Sequence, residues 1–274
     1  MSTSTPPARP QGTKRDRRGP PPRRPGHRGP ASAGRLLLWG DHPVKAALAN
    51  PERPCHRLLA TQAALESLGA VADREGLDRR VVASARELDQ LVPPGTPHQG
   101  LVLDVGPLPR RDPAALGADP GRPSLVLALD QVSDPRNLGA ILRTAAALGV
   151  EGVVVPERRS ADLGGVCAKA ASGALDIVPL VEVVNLARTL DDLRDRGFWV
   201  VGLDAAAPRR LEELGPAPRR VLVLGAEGAG LRRLVAEVCD EHARLEIGPA
   251  VESLNVSVAA GIALYCLRRQ TVVE

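Results

Sequence analysis

From Leu125 onward the chain carries short runs of uninterrupted apolar residues: Leu125 to Leu129, Val153 to Val155, Trp199 to Leu203 and Val221 to Leu224. A strand with one face in water alternates apolar and polar side chains. A run without alternation is buried on both faces. Helical patterns at Gly139 to Leu148, Cys167 to Ala171 and Leu186 to Arg194 separate these runs, and a strand at Ala243 to Ile247 leads to a last helix, Val256 to Arg268. Buried strands spaced by helices predict an α/β fold: a parallel sheet with helices on both faces.

Upstream, Leu36 to Val105 alternates short apolar runs with helical patterns and predicts a smaller α/β unit, with strands at Leu36 to Trp39, Arg57 to Ala60 and Leu101 to Val105 and helices at Pro43 to Leu48 and Gln62 to Glu75. Residues 107–123 hold five prolines and no apolar periodicity, which predicts a linker. The organisation expected is therefore a tail over 1–35, a first domain over 36–106, the linker over 107–123 and a second domain over 124–274. The tail has nine Lys and Arg against one acid, with eight prolines and five glycines. Such a composition buries too little apolar surface to offset chain entropy, so disorder is expected there. It serves either as a solubilising extension or as a sequence-blind phosphate tether. The other 239 residues have 27 bases and 31 acids, so the body is mildly acidic.

Several function classes are excluded. The four aromatic side chains, Trp39, Phe198, Trp199 and Tyr265, are too scattered to stack bases on a sheet. The cysteines, Cys55, Cys167, Cys239 and Cys266, form no C-x-x-C pair and have no His at ligand spacing, so neither a metal site nor a disulfide framework is expected. The longest uncharged apolar stretch, Val256 to Leu267, has 12 residues, short of the roughly 18 that a membrane helix needs. A cytoplasmic protein with no membrane and no metal partner is the expectation.

In open parallel sheets ligands bind at the carboxyl ends of strands, and three loops there are unusual. Asp130 to Gly139 leads into a helix bearing Arg143; Asn137 in it either caps the helix or reaches into a site. Arg143 on an otherwise apolar helix is either a surface group whose stem lies on apolar neighbours or a functional cation. Gly225-Ala226-Glu227-Gly228-Ala229-Gly230 follows a late strand; its glycines let main chain approach a ligand, and Glu227 either caps the next helix or faces a site. It is neither G-x-G-x-x-G nor a P-loop, which disfavours a Rossmann oxidoreductase. Ser253-Leu254-Asn255-Val256-Ser257 opens the last helix, where Ser253 and Asn255 are both good caps. An amide pair, a carboxylate, an Arg and a hydroxyl suit orientation of an alcohol and a cationic ligand better than hydrolysis.

These loops resemble the three signature motifs of the SpoU (TrmH-like) RNA ribose 2′-O-methyltransferases, a branch of the knotted SPOUT superfamily. The first motif, D-x-x-x-D-P-x-N-x-G-A-I-x-R-T-A, is matched from Asp130 to Ala145, the second from Leu224 to Leu231 and the third from Ser253 to Ala259. Leu36 to Val105, with Gly40, His42 and His98-Gln99-Gly100, is similar to the family's L30e-like substrate-binding domain, and Lys169 to Leu190 is closest to the bacterial 23S rRNA guanosine 2′-O-methyltransferase subgroup. Glu246 departs from the pattern where relatives often have Pro, and Cys266 where Glu often stands.

The resemblance implies a C-terminal trefoil knot holding S-adenosyl-L-methionine, with main-chain contacts at Gly225, Leu245 and Leu254. Asn137, Glu227, Ser253 and Asn255 would order the site, and Arg143 matches the catalytic Arg. It also implies a homodimer through the knot and an RNA partner, most simply 23S rRNA, gripped by Arg136, Arg143, Arg232, Arg233 and the tail. The alternatives within this frame are a tRNA or antibiotic-resistance rRNA 2′-O-methyltransferase and a catalytically silent RNA-binding assembly factor.

Overall fold

The computed structural model describes residues 36–158 and 160–271; the expected disordered tail lies outside them. The first sheet is built from β1 (Leu36–Trp39), α1 (Asp41–Ala49), β2 (Cys55–Ala60), α2 (Gln62–Leu68), β3 (Asp78–Val81), α3 (Ala85–Asp89) and β4 (Leu101–Val105). Its strand order is β1-β4-β2-β3. β4 runs antiparallel to both of its neighbours, and β2 and β3 are parallel. The helix expected over Gln62 to Glu75 ends at Leu68, because Gly69 turns to a φ of 57° and the chain tightens into a 3₁₀ turn through Ala72. β3 has no sequence signature: Asp78-Arg79-Arg80-Val81 is an edge strand with all four side chains exposed, so nothing in it alternates.

The second sheet comprises β5 (Ser124–Leu129), α4 (Pro135–Ala147), β6 (Gly152–Pro156), α5 (Gly165–Ala171), β7 (Leu180–Val183), α6 (Leu186–Asp195), β8 (Trp199–Leu203), β9 (Arg219–Leu224), α7 (Arg233–Val238), β10 (Glu241–Ala243) and α8 (Val256–Thr271). It is wholly parallel, in the order β10-β8-β9-β5-β6-β7. Successive residues of β5 point to opposite faces. Leu125, Leu127 and Leu129 pack with Leu138, Ile141 and Leu142 of α4 and Leu264 of α8. Val126 and Ala128 pack with Leu186, Leu190 and Leu193 of α6 and Val235 of α7. Both faces are covered by helices, which is why the run shows no alternation. Each fully buried Leu or Ile contributes about 1.5–3 kcal/mol.

Two boundaries differ from expectation. α4 starts at Pro135, four residues before Gly139, because proline presets the first helical turn and the Asp134 side chain accepts from Arg136 N at 2.8 Å. β10 is Glu241–Ala243 and stops before Leu245, since β8 ends at Leu203 and Arg244 N turns to the Arg209 carbonyl instead. Glu246 beyond it is held by Arg210 at 2.9 Å.

Residues 107–123 have little regular structure, as five prolines dictate, yet they are anchored. Leu116 is buried in the second cluster, Gly117 N donates to Glu151 at 2.7 Å, and Arg196 donates to the carbonyls of Pro113 and Ala114.

α4 and α5 cross with backbones nearly touching at Gly139. A Cβ there would lie 2.5 Å from the Cys167 carbonyl and 2.6 Å from Ala170 Cβ. Backbone on the α5 side cannot yield as a flexible side chain would. Gly139→Ala is therefore expected to lose about 1–3 kcal/mol in chemical denaturation despite the better helix propensity of Ala; unchanged or raised stability would show that the crossing relaxes freely.

Candidate active site

All six parallel strands deliver their carboxyl ends to the same edge of the sheet, and a cavity of about 730 Å³ opens there beyond β8 and β9. Leu203, Leu224, Leu231 and Leu254 form its apolar lining, Asp204, Glu227 and Glu252 supply carboxylates, and no Lys or Arg is among the lining residues. Gly225 to Gly230 folds back on itself: Ala226 N donates to Gly230 O at 3.2 Å and Gly230 N to Ala226 O at 3.0 Å. Gly228 and Gly230 take φ of 78° and 67°, which other residues adopt only with strain. A Cβ on Gly225 would overlap the backbone of Gly230 and Leu231.

A buried carboxylate fastens the far end of this loop. Asp130, at the end of β5, is fully buried and accepts from Arg232 N at 2.8 Å and Arg232 Nε at 2.7 Å. A charge in that position needs a partner or costs several kcal/mol, so an acid closing an apolar strand implies a cation or donors folded against it.

The three suspect loops meet at Glu227. Its Oε1 accepts from Asn255 Nδ2 at 2.9 Å, from Val256 N at 3.2 Å and from Asn137 Nδ2 at 3.4 Å. Asn255 Nδ2 also donates to Asn137 Oδ1 at 3.1 Å, and Asn255 Oδ1 accepts from Ser257 N and Oγ at 2.9 and 2.6 Å. Asn255 thus caps α8, as its residue type permits, while Glu227 sets a negative charge at the same helix N-terminus. Asn137 does not cap α4, a task Asp134 performs; it lies in the first turn and faces Glu227.

The remaining residues are placed differently. Gly225, Ser253 and Leu254 line the cavity with Glu227 and Asn255. Leu245 stands outside that lining, packed at the edge of the core. Arg143 is exposed two turns along α4 and makes no hydrogen bond to the network. Of the four arginines expected to grip RNA, Arg232 is committed to Asp130 and Arg233 pairs with Glu237 at 2.6 Å, leaving Arg136 and Arg143 exposed and without an ion pair among the described residues. Ser257 belongs to the third loop, whereas His242 has no motif in the sequence to mark it. His242 lines the cavity with Nε2 3.1 Å from the Ala236 carbonyl, leaving Nδ1 buried without a hydrogen-bond partner among the described residues.

A cavity of this size that combines leucines with carboxylates and holds no Lys or Arg in its lining suits a ligand having an apolar planar part and a positive charge. S-adenosylmethionine has both, so the residues present fit it.

The model of the SpoU rRNA methylase family matches residues 124–265, and the model for RNA 2′-O ribose methyltransferase substrate binding matches residues 37–110. A Pseudomonas aeruginosa protein named 23S rRNA (guanosine-2′-O-)-methyltransferase RlmB is 49% identical over 65% of this chain and 73% of its own length. The protein of that name from Pseudomonas syringae pv. tomato is 42% identical over 85% of this chain and 95% of its own. Among solved structures, the SpoU methyltransferase AviRb from Streptomyces viridochromogenes is similar with a TM-score of 0.72 and 26% identity, covering 87% of this chain and 90% of that one. A second structure of AviRb is a complex with the cofactor AdoMet.

Removing the Glu227 carboxylate would break three hydrogen bonds at once and leave Val256 N and Asn137 Nδ2 without this acceptor. Glu227→Ala is expected to cost about 1–2 kcal/mol in denaturant unfolding, the scale of a lost helix cap. Equal stability of Glu227→Ala and the parent chain would mean that water replaces the carboxylate without loss.

Proposed function

The chain belongs to the SpoU rRNA methylase family, and from that premise we propose that it methylates the ribose 2′-OH of one guanosine in 23S rRNA. It is an RNA 2′-O-methyltransferase that uses S-adenosylmethionine. The observation that carries the reading is the meeting of Asn137, Glu227 and Asn255 beside an acidic cavity lined by no Lys or Arg. The 23S rRNA guanosine assignment draws on the relatives named for that activity.

In this reading residues 36–106 form an L30e-like domain that binds RNA, 107–123 connect it, and 124–274 form the methyltransferase domain. The C-terminal end ties a trefoil knot. The course of the chain supports this, because residues 244–255 leave edge strand β10 and return α8 to the middle of the sheet, against β5, β9 and α4. The protein is a homodimer through that region: α8 exposes Val258, Ile262 and Tyr265, spaced as one stripe. No helix among the described residues is long and apolar enough to cross a membrane, and the compartment proposed is the cytoplasm.

The cofactor, when bound, supplies a methyl group on a positively charged sulfur. Main chain at Gly225 and Leu254 holds it, and Asp204 and Glu252 offset its charge from the cavity wall. Glu227 keeps Asn137 and Asn255 in fixed orientation. Ser253 completes the wall beside them, and Leu245, packed against the core, offers its main chain to the cofactor at the rim. Arg143 has no lone pair to take a proton; its guanidinium grips the phosphate beside the target ribose and stabilises negative charge developing on the 2′ oxygen, which releases its proton to water at the exposed mouth of the site.

Labelled cofactor and 23S rRNA lacking ribose methylation test this reading. One labelled guanosine 2′-OH is expected, lost with Asn137→Ala. Transfer to tRNA alone would overturn the rRNA assignment, and tight cofactor binding without transfer to any RNA would favour a silent binding factor. Arg143→Lys, which keeps the charge but not the fork, is expected to lower turnover about a hundredfold; near-full turnover would refute the grip. Light scattering should give a dimer for the parent and a monomer for Ile262→Asp with Tyr265→Asp, whereas a monomeric parent would refute the dimer.

A further inference from the structure

A methyltransferase that reads RNA on one sheet and reacts at another must hold the two in register. We propose that Asp176 is a positioning residue for this purpose, clamping the substrate-binding sheet to the catalytic helix α4 so that bound RNA presents a single ribose to Arg143. This inference rests on the function proposed above.

Asp176 ends a short 3₁₀ turn after α5, and its carboxylate reaches out of the second sheet's domain into the first. Asn50 Nδ2 donates to its Oδ1 at 3.3 Å, and Arg53 Nη1 lies 3.7 Å from the same oxygen. Both charged side chains are 1% exposed. Arg53 Nε and Nη2 are buried and have no acceptor among the described residues, so Asp176 supplies the counter-charge of a guanidinium that has no other ion-pair partner there. Burial pushes the Asp176 carboxyl up and the Arg53 guanidinium down, as desolvation of both groups requires. A pair like this adds little net stability, but it fixes one geometry, because any separation strands a charge in a dry seam. The Arg53 side of the clamp is itself rigid: Arg74 donates to the carbonyls of Ala47, Leu48, Asn50, Pro51 and Arg53, bracing the turn that follows α1.

The seam also has a direct line to the reacting site. α5 is squeezed on both sides, with Trp39 of β1 against Gly165 and Gly139 of α4 against the Cys167 carbonyl. Past its end, a Cβ on Gly173 would lie 2.9 Å from Ala46 Cβ of α1. At the far end of the seam Lys169 Nζ donates to Gln99 Oε1 at 2.9 Å. Neither flank of α5 has slack, so a shift of the first sheet moves α5, and α5 moves the helix that bears Asn137 and Arg143. The described residues accordingly cluster as one compact unit. A misplacement of about 1 Å costs a reaction of this kind about a hundredfold.

The test uses the full chain with Asp176→Asn, the milder Asn50→Ala and the conservative Asp176→Glu. For each, turnover on unmethylated 23S rRNA is measured, methylated riboses are mapped, and cofactor binding is followed by calorimetry. Asp176→Asn is expected to bind cofactor within about twofold of the parent while turnover at the guanosine falls about tenfold or more. Methyl groups should then appear on neighbouring riboses, and Asp176→Glu should recover most of the turnover. A single product at parental turnover from Asp176→Asn would overturn the proposal. Loss of turnover in step with cofactor binding would overturn it too, since Asp176 would then merely support the fold. Should Asp176→Asn fail to fold, Asn50→Ala decides: reduced turnover with spread products and intact cofactor binding upholds the clamp, and parental behaviour refutes it. A parent chain that methylates no RNA would bring down the underlying function itself, a result separate from any difference among variants.

Discussion

Glu227 collects hydrogen bonds from two stretches of chain far from it and from each other in sequence: Asn137 in the first turn of α4, and the start of α8, where both the Asn255 side chain and the Val256 backbone donate. A single carboxylate oxygen thereby joins the first, second and third suspect loops. The parallel sheet makes this possible, because every strand ends at the same edge and every following loop is delivered there. The helix N-terminus rewards negative charge at that place, so the interaction that orders the site also starts the last helix. Structural and functional readings of Glu227 and Asn255, opposed when each residue is considered by itself, describe the same bonds.

Much of this was legible in the residues. Leu125 to Leu129 announces a strand buried on both faces because helices cover it from both sides, and Asn137, Glu227 and Asn255 stand out because polar groups at strand ends need partners. The illegible parts share a physical cause. β3 is an edge strand with no buried face, so it has no periodicity to detect. α4 begins at Pro135, and a proline marks a loop as readily as the first turn of a helix. Asp130 and Arg232 lie 102 residues apart, and only the folded chain shows that one neutralises the other. The prolines of residues 107–123 truthfully signal irregular backbone but say nothing of Leu116, which anchors it.

Close backbone approach is a recurring device in this molecule. Gly139 lets α4 meet α5, Gly165 lets α5 meet β1, and Gly225 lets the cavity loop close on itself. None of these contacts carries a charge or a hydrogen bond that a motif search would notice. Each replaces the volume of a side chain with close contact, to backbone at Gly139 and Gly225 and to the Trp39 ring at Gly165, and such stiff contact transmits displacement better than a deformable side chain does. Polar groups select the chemistry at the sheet edge, while glycines set how firmly the pieces around it are coupled.

The exposed strand β3 has a consequence for life in a crowded solution. Its outer edge offers unpaired N–H and C=O groups, the usual invitation to another chain. Yet its side chains are Asp78, Arg79, Arg80 and Val81, with Asp78 paired to Arg57 at 2.7 Å and Arg79 paired to Asp73. A stranger adding itself to this sheet would have to strip water from those charges in a row. Among the described residues no fifth strand or covering helix seals that edge, and its own charges are what guard it.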